Sequence, residues 1–248
     1  MKNVWRYIAI GSAAYFLILL ATFPVARLAG TLERQVNDLD LYAITGSVFS
    51  GHAGRLVWAG NDLGAAEWRL QPLRLLLGAA EYRLELQHPQ ASGSTGLGMT
   101  LAGKVYGREL DLRLAPDSLI NRFSPVPVSA GGELSVRLEH FVPAGKVPVE
   151  VEGMLSWRAA IISEPLEIPL GDIEFSLKSV DDALVATVTQ GGALGASGDI
   201  TVSDNGRYAV DLLLQPGAAV TSGTLGLLET VARKKPGGKY QLTASGSL

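Results

Sequence analysis

The chain has 248 residues, a net charge of −3 and no cysteine; 47% of its residues are hydrophobic, only 7% are aromatic, and 29 are glycine. Without cysteine there are no disulfides, thiol nucleophiles or thiolate metal sites. Setting aside Lys2, Arg6 and Arg27 leaves 18 basic against 24 acidic residues, a charge of −6 with no basic stripe to neutralise phosphates, so nucleic acid is a poor partner.

Residues 1–6 form a short basic tail. Residues 7–26, between Arg6 and Arg27, are uncharged and mostly apolar. At ~1.5 Å per residue they cover roughly 30 Å, the thickness of a bilayer's hydrocarbon core, which predicts a transmembrane helix. Trp5 and Tyr7 stand where an interfacial anchor belongs. A cleaved signal peptide is the rival reading, and a buried soluble helix the bland one. The apolar run is long for a signal, and neither Pro24–Ala26 nor Arg27–Ala29 offers a small-x-small cleavage site. A short charged tail before a first span stays in the cytoplasm, which carries everything after residue 26 across the membrane.

Residues 27–41 form a membrane-proximal segment, read as helical over 27–40 with Leu28, Leu32, Val36 and Leu39 on one face and Asn37–Asp38 closing it. From Tyr42 the hydrophobic period becomes two. Leu134, Val136 and Leu138 alternate with Ser135, Arg137 and Glu139, and Ile173, Phe175 and Leu177 with Glu174, Ser176 and Lys178. Leu110/Leu112/Leu114 and Tyr208/Val210/Leu212 repeat the pattern, which predicts antiparallel strands with one dry face. Turns are predicted at Pro89–Gly93, Gly131–Gly132, Pro143–Gly145, Asp181–Asp182, Gly191–Gly192, Asp204–Gly206 and Pro236–Gly238. Asn205–Gly206 is the strongest hairpin signal. Helices are predicted at Leu73–Ala80 after Pro72, at Asp117–Phe123 after Pro116, and at Ser222–Arg233, where Leu225, Leu228 and Val231 keep helical spacing. The resulting fold is mainly β: a long, curved antiparallel sheet over 42–248 with a few short helices. A closed sandwich is the runner-up. Gly46-Ser47-Val48-Phe49-Ser50 resembles Gly153-Met154-Leu155-Ser156-Trp157, which suggests similar halves at 42–125 and 126–248.

Chemistry is hard to find. His52, His88 and His140 are far apart and keep no metal-ligand spacing, so each reads as a surface or strand-edge residue. Asp181, Asp182 and Asp204 read as turn formers. Gly191–Gly198 lacks the Lys-Ser/Thr ending of a phosphate loop and reads as a hairpin connection. Ser92-Gly93-Ser94-Thr95-Gly96 reads as a loop rather than a nucleophile elbow. Lys234-Lys235-Pro236-Gly237-Gly238-Lys239 is the one cationic cluster, read as a solvated turn, with an acidic partner or lipid head groups as the alternative. Trp58, Trp68 and Trp157 are expected in the core, where an indole on the open face could instead anchor a partner. No catalytic, cofactor-binding or metal-binding residue is expected, and no cofactor.

Several blocks in order resemble the type II secretion system protein N family. After the basic tail and apolar run come Ile44-Thr45-Gly46-Ser47-Val48-Phe49-Ser50-Gly51-His52-Ala53 and then Trp68-Arg69-Leu70-Gln71-Pro72-Leu73-Arg74-Leu75-Leu76-Leu77-Gly78, the most specific block. Gly153–Ala160, Pro169-Leu170-Gly171, Asp204–Tyr208 and Lys239-Tyr240-Gln241-Leu242 follow. Phe49 departs from the family's usual Trp, and the Pro165–Leu170 stretch is only loosely similar. The resemblance implies a single-pass inner-membrane protein with a periplasmic β-rich domain, a non-enzymatic accessory of the machine that exports folded proteins. Its implied partners are the inner membrane and other secretion-system components, and no catalytic residues transfer. The Trp-x-x-x-Pro-Leu-x-Leu-Leu-x-Gly element is also similar to AsmA-like proteins, which implies a lipid-binding groove as the alternative.

Overall fold

A computed structural model describes residues 11, 39–58, 61–89, 91–117, 129–144, 147–164, 167–181, 183–217 and 220–247. The predicted span at 7–26 lies outside these residues apart from residue 11. So do residues 27–38 and most of the Asp117–Phe123 helix. Among the described residues no helix is long and apolar enough to cross a membrane.

The alternating segments form fourteen strands: β1 (Leu39–Gly46), β2 (Ser50–Trp58), β3 (Asn61–Leu70), β4 (Ala79–His88), β5 (Ala91–Thr100), β6 (Val105–Leu114), β7 (Ser129–Val142), β8 (Val149–Glu164), β9 (Ile168–Val180), β10 (Ala183–Gly191), β11 (Ser197–Ser203), β12 (Arg207–Leu214), β13 (Arg233–Lys235) and β14 (Lys239–Ser247). They belong to one sheet in which chain neighbours are hydrogen-bonded neighbours, except that β14 inserts between β12 and β13. One sheet takes the place of the sandwich alternative. Among the described residues the sheet is interrupted by α1 (Pro72–Leu76), α2 (Ser222–Val231) and a 3-10 turn at Gly192–Leu194.

The chain forms two compact units. The first holds β1–β4, α1 and residues 98–102. Its register aligns Gly51 of β2 with Trp68 of β3, and the Trp68 indole lies over the bare glycine. The indole N–H then donates to the Ser47 carbonyl at 3.1 Å. At Gly64, φ is +80° and a Cβ would overlap the Gln87 carbonyl, so only glycine fits that bulge. The predicted helix over 73–80 is a five-residue turn, because Ala79 and Ala80 already pair as β4. Leu39, expected on a helical face, opens β1.

The second unit holds residues 90–97 and β6–β14. Its register lines up rows of aliphatic residues. Leu110 faces Leu138, then Gly153, Leu177, Ala186, Ile200 and Val210 across successive strands. Leu112, Val136, Leu155, Phe175 and Val188 form the next row. The alternation in sequence therefore becomes one apolar face. Burial concentrates in three places: around Leu138, Val151 and Leu177; around Ala160, Ile168 and Leu170; and where α2 sets Leu228 against Leu214 and Tyr240.

Two glycine-rich predictions differ from the structure. Gly131–Gly132 is not a turn but a bulge inside β7, with Gly132 at φ +100° against the Arg158 and Ala159 carbonyls. Ser92–Gly96 is not a loop but part of β5, where a Cβ at Gly93 would strike the Asp111 carbonyl and Leu112 of β6. In both, glycine permits close strand approach rather than reversing the chain.

Candidate functional site

The three histidines stay apart. His52 on β2 lies 3.7 Å from Glu67, and His140 on β7 lies 3.8 Å from Glu150, while His88 ends β4. Among the described residues no three His, Asp or Glu side chains gather to hold a metal ion. The aspartates do local work. Asp204 Oδ1 accepts from the Asn205 N–H at 2.7 Å, and Asn205 Oδ1 from the Arg207 N–H at 3.0 Å, which fixes the β11–β12 turn. Asp181 sits in the β9–β10 turn at φ +48°, and Asp182 lies outside the described residues. Asp117 accepts from the Ala130 N–H.

Trp157 is half-buried against the Ala160, Ile168 and Leu170 cluster, and its indole N–H donates to the Gly131 carbonyl at 2.9 Å. Trp68 is half-buried over Gly51; the Trp58 side chain lies outside the described residues. The bulge facing Gly132 places Ala159 at φ +46°, and Asp172 Oδ1 takes its N–H at 2.8 Å. Each indole thus fixes a backbone carbonyl, Trp68 at the β1–β2 turn and Trp157 at the β7 bulge.

The cationic cluster is a hairpin. Lys234 and Lys235 belong to β13, Gly237 and Gly238 turn at φ +77° and +72°, and Lys239 opens β14. Lys234 Nζ bonds Glu229 Oε1 at 2.7 Å and lies 5.9 Å from the centre of the Tyr240 ring. That hydrogen bond and charge hold the Glu229 carboxyl below its ordinary value and raise the Lys234 ammonium above its own.

Three surfaces remain that could meet a partner. One is an edge: β13 covers β14 only from Lys239 to Gln241, so among the described residues no strand pairs with the outer side of β14 from Leu242 to Ser247. That stretch has no charge, proline or bulge, the usual guards of a sheet edge. A second is a cavity of about 90 Å³ on the polar face of β6–β9, over Ser135 and Ser156 and rimmed by Arg113, Arg137, Arg158, Glu133 and Glu174. The buried Ser156 Oγ there has no hydrogen-bond partner, while Arg113 pairs with Glu133 at 3.8 Å and Arg137 with Asp111 at 3.6 Å. The third lies at α1, where Leu73, Leu76 and Leu77 are 74%, 83% and 74% exposed and Leu101, in the same unit, is 92% exposed. Sequence reading gave neither the cavity nor the exposed leucines, nor which strand edge stays open, because all three depend on register and packing.

These features define a single-sheet β-meander that presents edges and faces to its surroundings. The family model for type II secretion system protein N matches residues 37–243, most of the chain, and the chain belongs to that family. It is 28% identical over 223 residues to the type II secretion system protein N of Aeromonas hydrophila, covering 88% of each chain. To the protein of that name from Vibrio cholerae it is 24% identical over 250 residues, covering 97% of this chain and 99% of the other. No solved structure matches.

Proposed function

We infer that the chain is a non-enzymatic accessory component of the type II secretion system that helps export folded proteins. In this reading residues 1–6 are cytoplasmic, 7–26 span the inner membrane, and 27–41 lead to a periplasmic β-rich domain at 42–248, built as two similar halves. The family match over residues 37–243 carries the reading. The uncharged run at 7–26 supports the anchor. Partner components are engaged through the free edge of β14, because an unpaired strand edge binds an extended segment through main-chain hydrogen bonds and needs no special side chain.

The test is complementation of a strain lacking the gene, scored by the exported protein in the medium. His52→Ala, His88→Ala, His140→Ala and Asp182→Asn should each restore export to near the wild-type level. Alkaline phosphatase fused after Leu248 should be active. An inactive fusion made in normal amounts would overturn the topology. A single His or carboxylate change that abolished export at normal protein level and unchanged circular dichroism would overturn the non-enzymatic reading.

A further inference from the structure

The leucines of α1 do not pack against the rest of the unit. Leu73, Leu76, Leu77 and Leu101 are each at least 74% exposed, and Leu75 and Met99 about half. Leu101 is held at the patch because its N–H donates to the Gly78 carbonyl at 3.2 Å, and its side chain reaches Gly78. Soluble surfaces rarely gather so many aliphatic side chains without a partner.

We propose that this patch inserts into the surface of the lipid bilayer, as a second membrane contact beside the anchor; the proposal rests on the anchored reading above. Its composition suits lipid: the patch is all Leu and Met, with the exposed Arg69 close by in the chain, where a head group would meet it. The tether agrees. Residues 27–38 join the apolar run to β1 and reach at most ~40 Å. Strand register puts α1 at the end of the unit where β1 finishes, since Gly46 faces Gly51 and Gly51 faces Trp68, two residues before β3 ends. The patch is therefore about one β1 length, roughly 26 Å, from the point where the tether attaches. The tether exceeds that distance, so anchor and patch can occupy one leaflet face together. Pro72 starts the helix and Arg74 bonds Glu81 at 3.4 Å, which holds α1 against β4 with its leucines outward.

The chain has no cysteine, so Leu76→Cys, Leu101→Cys and Phe16→Cys can each carry a nitroxide without background. The full chain is placed in nanodiscs of phosphatidylethanolamine and phosphatidylglycerol, and collisions with oxygen and with a water-soluble nickel chelate are measured by electron paramagnetic resonance. At all three positions oxygen should relax the label several-fold more than nickel does. If position 16 is lipidic but 76 and 101 meet nickel freely, the patch proposal fails and the anchor stands. If 76 and 101 are shielded from both reagents, protein covers the patch and the proposal fails. If position 16 itself meets nickel, the anchored reading falls and the proposal with it.

Discussion

Glycines in this sheet are covered by aromatic rings from the facing strand. Trp68 lies over Gly51, Phe141 over Gly107 and Tyr208 over Gly246, each a register pair. A glycine leaves a hole in a pleated surface, and a ring from the paired strand fills it while fixing the register. The alternation of Leu, Val and Ile was legible, because period two needs only the sequence. The rings over glycines were not, because they depend on which strand lies opposite. The same holds for Glu150 and Ala159, which adopt φ of +52° and +46° where the register slips by a residue. Trp157 tests this scale. Trp157→Ala should lower unfolding free energy by about 3 kcal/mol, at the low end for a large aromatic because the ring is only half-buried. Trp157→Phe keeps most of the packing, loses the bond to Gly131 and should cost about 1 kcal/mol. Urea denaturation of the two variants checks both.

Helix α2 was legible from the spacing of Leu225, Leu228 and Val231, and Thr221 caps it by accepting from the Thr224 N–H at 3.3 Å. Its end was not. The helical pattern runs to Arg233, but the helix stops at Val231 because Arg233 opens β13 and pairs with Gln241 of β14. Strand pairing overrides local propensity here, as it does where β4 cuts α1 short. The joint between α2 and β13 is held by Glu229 and Lys234, and its pH dependence follows from their shifts. Glu229 titrates below its ordinary 4.5 in the fold, so its contribution is complete above 4.5 and disappears as pH falls through the lowered value. Lys234 titrates above its ordinary 10.5, so its contribution is complete below 10.5 and disappears as pH rises through the raised value. Amide exchange, corrected for its intrinsic pH dependence, should therefore show α2 and β13 opening more readily in acid below 4.5. Glu229→Gln should remove that acid dependence and leave the rest of the sheet unchanged.

Across the molecule, each strand is supported chiefly by the strands beside it. Stability then accumulates from nearest-neighbour pairings, as in repeat proteins, and should vary along the sheet. In the second unit β7, β8 and β9 are the longest strands at 14, 16 and 13 residues. They also carry Leu134, Leu138, Val151, Ala160, Ile168, Leu170 and Leu177, all buried. At neutral pH hydrogen exchange should be slowest there and should quicken towards the three-residue β13 and the uncovered side of β14. Uniform protection from β7 to β14 would instead mean that the unit unfolds as one block.

The insertion of β14 between β12 and β13 bears on the order in which the chain is made. From β6 to β12 each new strand can zip onto one already formed as it emerges. At β13 that sequence stops: Arg233–Lys235 has no neighbour until Lys239–Gln241 has been synthesised, and β12 keeps an open side for just as long. Leu214 and Leu228 likewise wait for Tyr240. A chain broken off before Lys239 would display the whole flank of β12 as bait for proteases and chaperones, whereas one finished through Ser247 would not. Strand β14 works as a clasp, closing only on chains whose synthesis has passed it.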